Sequence, residues 1–179
     1  MRYARPEDYD LLAKFYCGSD EPWEEEINEY FQGLGRNRGD KDVQVRVAID
    51  PGEGKLVAAG AFRDDIELVA MPSRRKEETA TYIRALGITS EYRENPGEEW
   101  KVGDYTSIGD LVLNDLLRAI REHWDGRECV VWAHIATKNK QCQGLVEKVG
   151  FTQMMPLDNG YDVWGARLLA KSRFLQSLP

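Results

Sequence analysis

The chain has 179 residues, of which 42% are hydrophobic and 31% charged, and its formal net charge is −7 at pH 7. This composition indicates one soluble globular domain over 1–179 and excludes a disordered chain. No apolar run approaches the roughly 20 residues of a membrane-spanning helix, so no membrane association is expected. The negative charge makes nucleic acid an unfavoured partner and mildly favours a cationic amine.

The three cysteines, Cys17, Cys129 and Cys142, are too scattered for a disulfide framework. The N-terminus lacks the apolar segment of a signal peptide. We therefore expect reduced thiols and a cytoplasmic location. No motif of a zinc site, an EF-hand or a nucleotide-binding P-loop occurs, so no metal is predicted.

Hydrophobic periodicity and turn residues divide the chain into strands and helices. In chain order, the predicted elements are a strand at 2–5, a helix from Pro6 ended by Cys17-Gly18, a helix from Pro22 to Leu34, strands at 43–49, 55–62 and 80–88, a loop at 91–105, a helix from Ile108 to Ile120, a strand at 129–136, a helix at 139–149, and strands at 152–155 and 162–169. The single helix between the strands at 80–88 and 129–136 implies a right-handed parallel crossover. The predicted fold class is therefore α/β (α+β), with a mixed central sheet of about six to seven strands and about four helices.

The stretch from Ile108 to Phe151 carries the most specific pattern. A small-residue turn opens a helix and a strand follows. The chain then has Asn139, Cys142 and Leu145 at helical spacing before Glu-Lys-Val-Gly-Phe151. This pattern resembles the second half of the GNAT acyl-CoA N-acyltransferase fold, and the order of elements resembles that fold from end to end. The resemblance implies one GNAT-like domain with a splayed pair of parallel strands.

Acetyl-CoA is the cofactor that this resemblance implies. In the family the pantetheine arm adds along an exposed strand edge, and the pyrophosphate rests on backbone N–H groups at a helix N-terminus. The segment Asp104–Gly109 stands at the family signature Gln/Arg-x-x-Gly-x-Gly/Ala, but it begins with an acidic residue. The implied cofactor-binding residues are Leu86, Gly87, Ile88, Thr106, Ser107, Ile108, Gly109, Asp110 and Asn139. Thr106 or Ser107, and Asn139, could equally be helix N-caps.

Acyl transfer to an amine requires a group that removes the amine proton. An alkylammonium has a pKa of about 10, and a carboxylate commonly takes its proton, directly or through water. Glu67 and Glu91 are the predicted bases, and Asp104 is a further candidate.

The leaving group raises a second question, because Val146 stands where many family members carry a Tyr that protonates the CoA thiolate. Valine cannot donate a proton. Tyr161 is predicted to donate this proton instead, and Tyr105 is a second candidate for the same role. Cys142 and His134 are weaker candidates.

Three functions remain open. The resemblance implies transfer of an acetyl group from acetyl-CoA to a primary amine of a small molecule or a protein. The departures at Asp104 and Val146 favour a degenerate acyl-CoA-binding sensor or interaction module. The segments 15–18, 71–76 and 85–88 loosely resemble the toxin branch that acetylates aminoacyl-tRNA, although the acidic net charge disfavours tRNA. A homodimer through the last strands is a further expectation of the architecture.

Overall fold

The computed structural model describes residues 1–64, 79–94, 107–169 and 175–177. A 3-10 turn at Pro6–Asp8 precedes the first α-helix. The helices are α1 (Tyr9–Leu12), α2 (Pro22–Arg36), α3 (Ser90–Glu94), α4 (Ile108–His123) and α5 (Lys140–Lys148). The strands are β1 (Arg2–Tyr3), β2 (Gln44–Ile49), β3 (Leu56–Asp64), β4 (Ala80–Ile88), β5 (Cys129–Ala136), β6 (Thr152–Pro156), β7 (Tyr161–Leu168) and β8 (Leu175–Ser177).

The strands form one mixed sheet in the order β1-β2-β3-β4-β5-β7-β6, and β8 also pairs with β7. The β4–β5 pair is parallel, and the helical connection that a parallel pair needs is provided by α3 and α4. The pairs β1–β2, β5–β7, β6–β7 and β7–β8 are antiparallel. The mixed sheet with a central parallel pair confirms the predicted fold class. The three-residue β8 adds to the predicted strands because so short a segment has no readable periodicity.

The chain divides into two compact units, Met1–Ala61 with Ala85–Leu116, and Phe62–Arg84 with Leu117–Pro179. The single domain over 1–179 remains a prediction. Among the described residues, no helix has both the length and the apolar character needed to cross a bilayer.

The first unit contains two apolar clusters. One joins the α1–α2 region to β2 and β3, and the rings of Phe15 and Phe31 within it are 4.8 Å apart. In the other, Ile108 and Val112 of α4 pack with residues of β2, β3 and β4. Phe31 and Leu34 lie on one face of α2 and are buried in the first cluster, so this face of the helix packs into the core.

The second unit has its own apolar cluster. Ala80, Val130 and Val163 form its buried centre, and Trp132 and three residues near β6 pack against it. Strand β7 lies between β5 and β6 and pairs with β5 over eight residues, from Cys129↔Leu168 to Ala136↔Tyr161. This continuous ladder makes β7 a central strand of the unit.

Most predicted boundaries lie within three residues of those in the structure, and two predictions differ by more. The first helix ends at Leu12, well before Gly18, because Lys14 and Phe15 donate their backbone N–H groups to the carbonyl oxygens three residues back, in turns that do not continue α1. Gly18 nevertheless has φ +98, a conformation that glycine tolerates. The start of the predicted 91–105 loop is helical, since α3 runs to Glu94. Its anchor is Tyr92, which is buried and donates its hydroxyl to Asp50 at 2.7 Å.

Candidate functional site

The parallel ladder between β4 and β5 ends before the two strands do. Ala80 to Ile83 pair with Val130 to Ala133, and no further pair between the two strands occurs among the described residues. β4 nevertheless continues to Ile88 and β5 to Ala136. We call the point beyond the Ile83↔Ala133 pair the fork.

The far end of β4 approaches α2 and the segment that precedes it closely. A Cβ on Gly87 would lie 2.7 Å from Phe15 Cζ and 2.9 Å from Ile27 Cγ2, so this position requires a residue without a side chain. The backbone N–H of Ile88 points to Cys17, whose thiol pKa rises to about 12 because it is buried. Three of the predicted cofactor-binding residues, Leu86 to Ile88, thus lie on the part of β4 beyond the fork.

Helix α4 begins with a reciprocal cap. Asp110 donates its backbone N–H to Ser107 Oγ at 3.1 Å, and the same hydroxyl donates to Asp110 Oδ2 at 2.9 Å. Ser107 is therefore the N-cap, one of the alternatives left open by the sequence. Asp110 is a buried carboxylate in the first helical turn, where the helix dipole favours negative charge. Ile108 and Gly109 occupy the preceding positions of that turn, and Thr106 lies outside the described residues.

Asn139 caps helix α5. Its Oδ1 accepts the backbone N–H of Cys142 at 3.0 Å, which leaves the amide NH2 group outside this cap. Val146, the predicted departure from the family pattern, is buried in the same helix with 5% of its surface exposed. Burial makes this valine part of the packing of α5 rather than of a polar site.

The predicted catalytic residues occupy separate places. Glu91 lies on α3 and forms an exposed ion pair with Lys55 at 3.0 Å. Tyr161 opens β7 opposite Ala136, the last residue of β5. Glu67, Asp104 and Tyr105 lie outside the described residues. Their roles remain predictions.

A group of side chains at the fork includes His134 and four residues that the sequence did not single out. Tyr82 of β4 lies opposite Trp132 of β5, and their rings stack with centroids 4.2 Å apart at 26°. The ring of His134 meets Trp132 edge-on at 5.1 Å, and Nδ1 of His134 is 3.4 Å from Tyr82 Oη. The guanidinium carbons of Arg63 and Arg84 lie 5.8 Å and 5.9 Å from the Tyr82 ring centre. We call these five residues the aromatic–arginine cluster.

The electrostatics of this cluster favour an uncharged histidine. The pKa of His134 is lowered, first because the neighbouring rings strip water from the imidazole and second because of the Arg84 charge. A neutral imidazole can accept a proton or a hydrogen bond at neutral pH. Trp132 Nε1 is buried without a hydrogen-bond partner in the described part of the chain. Strand alternation in the sequence could have predicted that Trp132 and His134 share one face of the sheet. It could not have predicted that Tyr82 stacks on Trp132.

The cysteines do not supply a nucleophile. Burial raises the pKa of Cys129 to about 12 and that of Cys142 to about 11, so both thiols stay protonated at neutral pH. Among the residues that the structure describes, no group of three or more His, Cys, Asp or Glu side chains could hold a metal ion.

No protein-family model and no curated protein matches this chain by sequence. Solved structures match it over nearly its whole length. A putative GNAT-family acetyltransferase from Desulfovibrio desulfuricans has a TM-score of 0.60 and 14% identity over 94% of this chain and 97% of its own. A structure called a bacterial toxin has a TM-score of 0.66 and 14% identity, covering 93% of this chain and 88% of its own. AtaTR bound with AcCoA has a TM-score of 0.61 and 14% identity, covering 92% and 91%. The chain therefore has the fold of the GNAT acetyltransferases.

Proposed function

We propose that this protein is an N-acyltransferase that moves an acetyl group from acetyl-CoA to a primary amine. The observation that carries the proposal is the early end of the β4–β5 ladder at Ile83↔Ala133, while β4 continues to Ile88. An extended pantetheine arm can add to such a strand by main-chain hydrogen bonds. The AcCoA bound by a structure of the same fold supports this choice of cofactor.

The diphosphate of the cofactor would lie at the start of α4. Backbone N–H groups in the first turn of a helix attract anions through the helix dipole. Gly109 presents no side chain there. Asp110 already meets Ser107 through two hydrogen bonds, which turns its carboxylate toward the helix cap. Asn139 would add its amide NH2 group as a donor to the cofactor.

The chemistry needs few protein groups. The amine lone pair attacks the thioester carbonyl carbon, the C–S bond breaks, and the CoA thiolate leaves. Proximity provides much of the rate enhancement in such a reaction. Glu67 and Glu91 remain the proposed acceptors of the amine proton, and Tyr161 remains the proposed donor to the thiolate.

A second candidate is an acyl-CoA-binding sensor without catalysis. It is favoured by the burial of Val146, which places no hydroxyl where the family carries one. A toxin that acetylates aminoacyl-tRNA is a third, suggested by the match to a structure called a bacterial toxin. The net charge of −7 opposes tRNA binding unless basic residues cluster locally.

Thermal unfolding with and without acetyl-CoA separates these candidates from a protein that binds no cofactor. A ligand present at about 100 times its Kd adds roughly 2.7 kcal/mol to the free energy of unfolding. Release of free thiol on an amine panel then separates an enzyme from a sensor. If neither acetyl-CoA nor longer acyl-CoAs stabilise the fold, both cofactor-based functions are wrong.

A charge variant at the helix start sharpens this test. Gly109→Glu adds an anion to the first turn of α4, where it would repel a diphosphate; because Gly109 is buried, thermal unfolding without cofactor first establishes that the variant folds. Gly144→Glu makes the same charge change in α5, where an added Cβ has nothing within 4 Å. We expect weaker acetyl-CoA binding in the first variant alone.

A further inference from the structure

One face of α2 carries polar side chains at a spacing of four residues. Glu24, Asn28 and Gln32 are neighbours on successive turns of this helix. Glu24 and Asn28 are buried, with 8% and 7% of their surface exposed, and buried polar side chains need hydrogen-bond partners. The partners lie in the segment just before α2 and in α3, all within the first unit of the chain.

Two of these side chains hold the segment 15–18 along the helix. Gln32 Nε2 donates to the carbonyl oxygen of Phe15 at 2.9 Å. One turn earlier, Asn28 Oδ1 accepts the backbone N–H of Cys17 at 2.7 Å. The backbone of the segment is therefore fixed at both of these residues.

The third side chain of the row joins α2 to α3. Glu24 accepts a hydrogen bond from the Ser19 hydroxyl at 2.6 Å and another from the guanidinium of Arg93, which belongs to α3. Only one residue separates the end of β4 from the start of α3. Helix α2 thus fixes both the segment 15–18 and the helix that follows β4.

The segment 15–18 closes on the end of β4. Ser90 donates its backbone N–H to the carbonyl oxygen of Tyr16 at 3.4 Å. The backbone N–H of Ile88 points to the sulfur of Cys17. Two donors, two residues apart along the chain, are therefore directed at the protein's own segment.

Ile88 lies on the edge of β4 that faces away from β3. Thr89, the next residue, donates its N–H to the carbonyl oxygen of Val57 in β3 at 2.9 Å, and successive residues of an extended strand direct their N–H groups to opposite edges. Leu86 therefore directs its N–H and carbonyl oxygen to the same edge as Ile88. An extended pantetheine arm on this edge can pair with Leu86, but it meets the segment 15–18 at Ile88.

We propose that the segment 15–18 is a fixed stop that sets the register of acetyl-CoA on β4, with Leu86 paired to the pantetheine arm and Cys17 acting as a positioning residue through Ile88. The inference rests on the proposed acyl transfer. Moving the arm by two residues, from Leu86 to Ile88, would shift the thioester by about 6.6 Å along the strand. A misplacement of about 1 Å can cost about 100-fold in rate, so transfer requires a fixed register.

Amide hydrogen exchange, followed by NMR, measures the two strand positions separately. In the wild-type protein, we expect saturating acetyl-CoA to slow the exchange of the Leu86 N–H about 5-fold more than that of Ile88, the effect of one added hydrogen bond. A larger effect at Ile88 than at Leu86 would overturn the proposal, because the arm would then have displaced the segment 15–18.

Cys17→Val removes the sulfur and keeps an apolar side chain of similar size. We expect the exchange of Ile88 in the cofactor-free variant to become about 5-fold faster. Acetyl-CoA should then protect Ile88 as well as Leu86, which a loss of packing alone would not produce. Cys129→Val is the matched control, because Cys129 is as buried as Cys17, with 1% of its surface exposed, and lies in β5. The same change at Ile88 in both variants would contradict the stop.

Thermal unfolding with acetyl-CoA separates this inference from the proposed transferase. If acetyl-CoA neither raises the unfolding temperature nor changes the exchange of Leu86 and Ile88, the cofactor function and the register are both refuted. If it raises the unfolding temperature while Ile88 exchanges equally in wild type and Cys17→Val, the cofactor function stands and the stop is refuted. A raised unfolding temperature together with protection of Ile88 that depends on Cys17 supports the inference.

Discussion

Arg46 and Asp115 form a bidentate ion pair inside the first unit, in which Arg46 Nε donates to Asp115 Oδ2 at 3.0 Å and Arg46 Nη2 donates to Oδ1 at 3.1 Å. The side chains are 7% and 5% exposed, and Arg46 also donates to the carbonyl oxygen of Met1 at 2.9 Å. The pair links β2 to α4, the helix whose start is the proposed diphosphate seat.

Asp115→Asn is expected to destabilise the fold strongly. It leaves the Arg46 charge buried without its counterion, and breaking a buried pair in this way costs about 3–5 kcal/mol. Chemical denaturation measures the loss. Asp10→Asn is the control, since Asp10 and Arg38 form an exposed pair whose loss should cost less than about 1 kcal/mol. Equal losses in the two variants would contradict the structural role of the buried pair.

Gly87→Ala should destabilise the protein, because the added methyl group would press against the Phe15 ring and a methyl group of Ile27 in α2. An added Cβ would come within 2.7 Å of Phe15 and 2.9 Å of Ile27, and overpacking of this kind costs about 1–3 kcal/mol. Gly144→Ala gives the opposite sign, about 0.5–1 kcal/mol of stabilisation, because alanine is the better helix former in open space. Thermal unfolding of both variants checks the contrast, and a stabilised Gly87→Ala would show that β4 lies elsewhere.

The two roles of Asn139 can be separated by substitution. Asn139→Ala removes the acceptor for Cys142 N–H and should lower the free energy of unfolding by about 1 kcal/mol. Asn139→Asp retains that acceptor but has no amide NH2 group, so stability should return while acetyl-CoA affinity stays low. Calorimetric titration with acetyl-CoA measures the affinity. Wild-type affinity in the aspartate variant would remove Asn139 from the cofactor site.

The protonation of His134 gives a pH-dependent prediction. Its folded pKa is lowered below the ordinary value of about 6.5, so the unfolded chain binds the proton more tightly than the folded chain. Stability from this group is therefore complete above the ordinary pKa and is lost as the pH falls through that value toward the lowered folded pKa. An NMR titration should place the pKa of His134 below about 6.5, and Arg84→Gln should move it upward. A pKa above the ordinary value would contradict the crowding and charge at the fork.

Tyr161→Phe tests the proposed proton donor. If the hydroxyl protonates the CoA thiolate, kcat should fall by about 100-fold or more, while acetyl-CoA binding is unchanged. The same assay measures kcat for Glu91→Gln and Glu67→Gln, which remove the two carboxylates proposed to accept the amine proton. Unchanged kcat in all three variants would leave His134 or water as the participating groups.

Strand periodicity predicted the fold well because β4 and β5 are long and apolar. Ala80–Ile88 and Cys129–Ala136 have the predicted bounds to the residue, and the crossover through the predicted helix, α4, leads to their parallel pairing. Local chemistry also predicted caps, since Asn139 and Ser107 each accept a backbone N–H within their own turn. Short elements such as α3 escaped prediction because one buried residue, Tyr92, establishes no period.

The candidate site was harder to predict, because its geometry depends on register between strands. Sequence alone cannot say that Tyr82 stacks on Trp132, since 49 residues lie between them along the chain. His134 therefore appeared as an isolated strand histidine. Likewise, the pairing of Glu91 with Lys55 depends on the position of α3 relative to the β2–β3 turn, which no local pattern encodes.

A crystal structure with acetyl-CoA bound is the most direct test of acyl transfer by this fold. We expect the pantetheine arm to run beside β4 beyond Ile83, the diphosphate to lie at the start of α4, and the thioester to end near the fork. A cofactor bound away from β4, or crystals that take up no acetyl-CoA at saturating concentration, would contradict the proposed function.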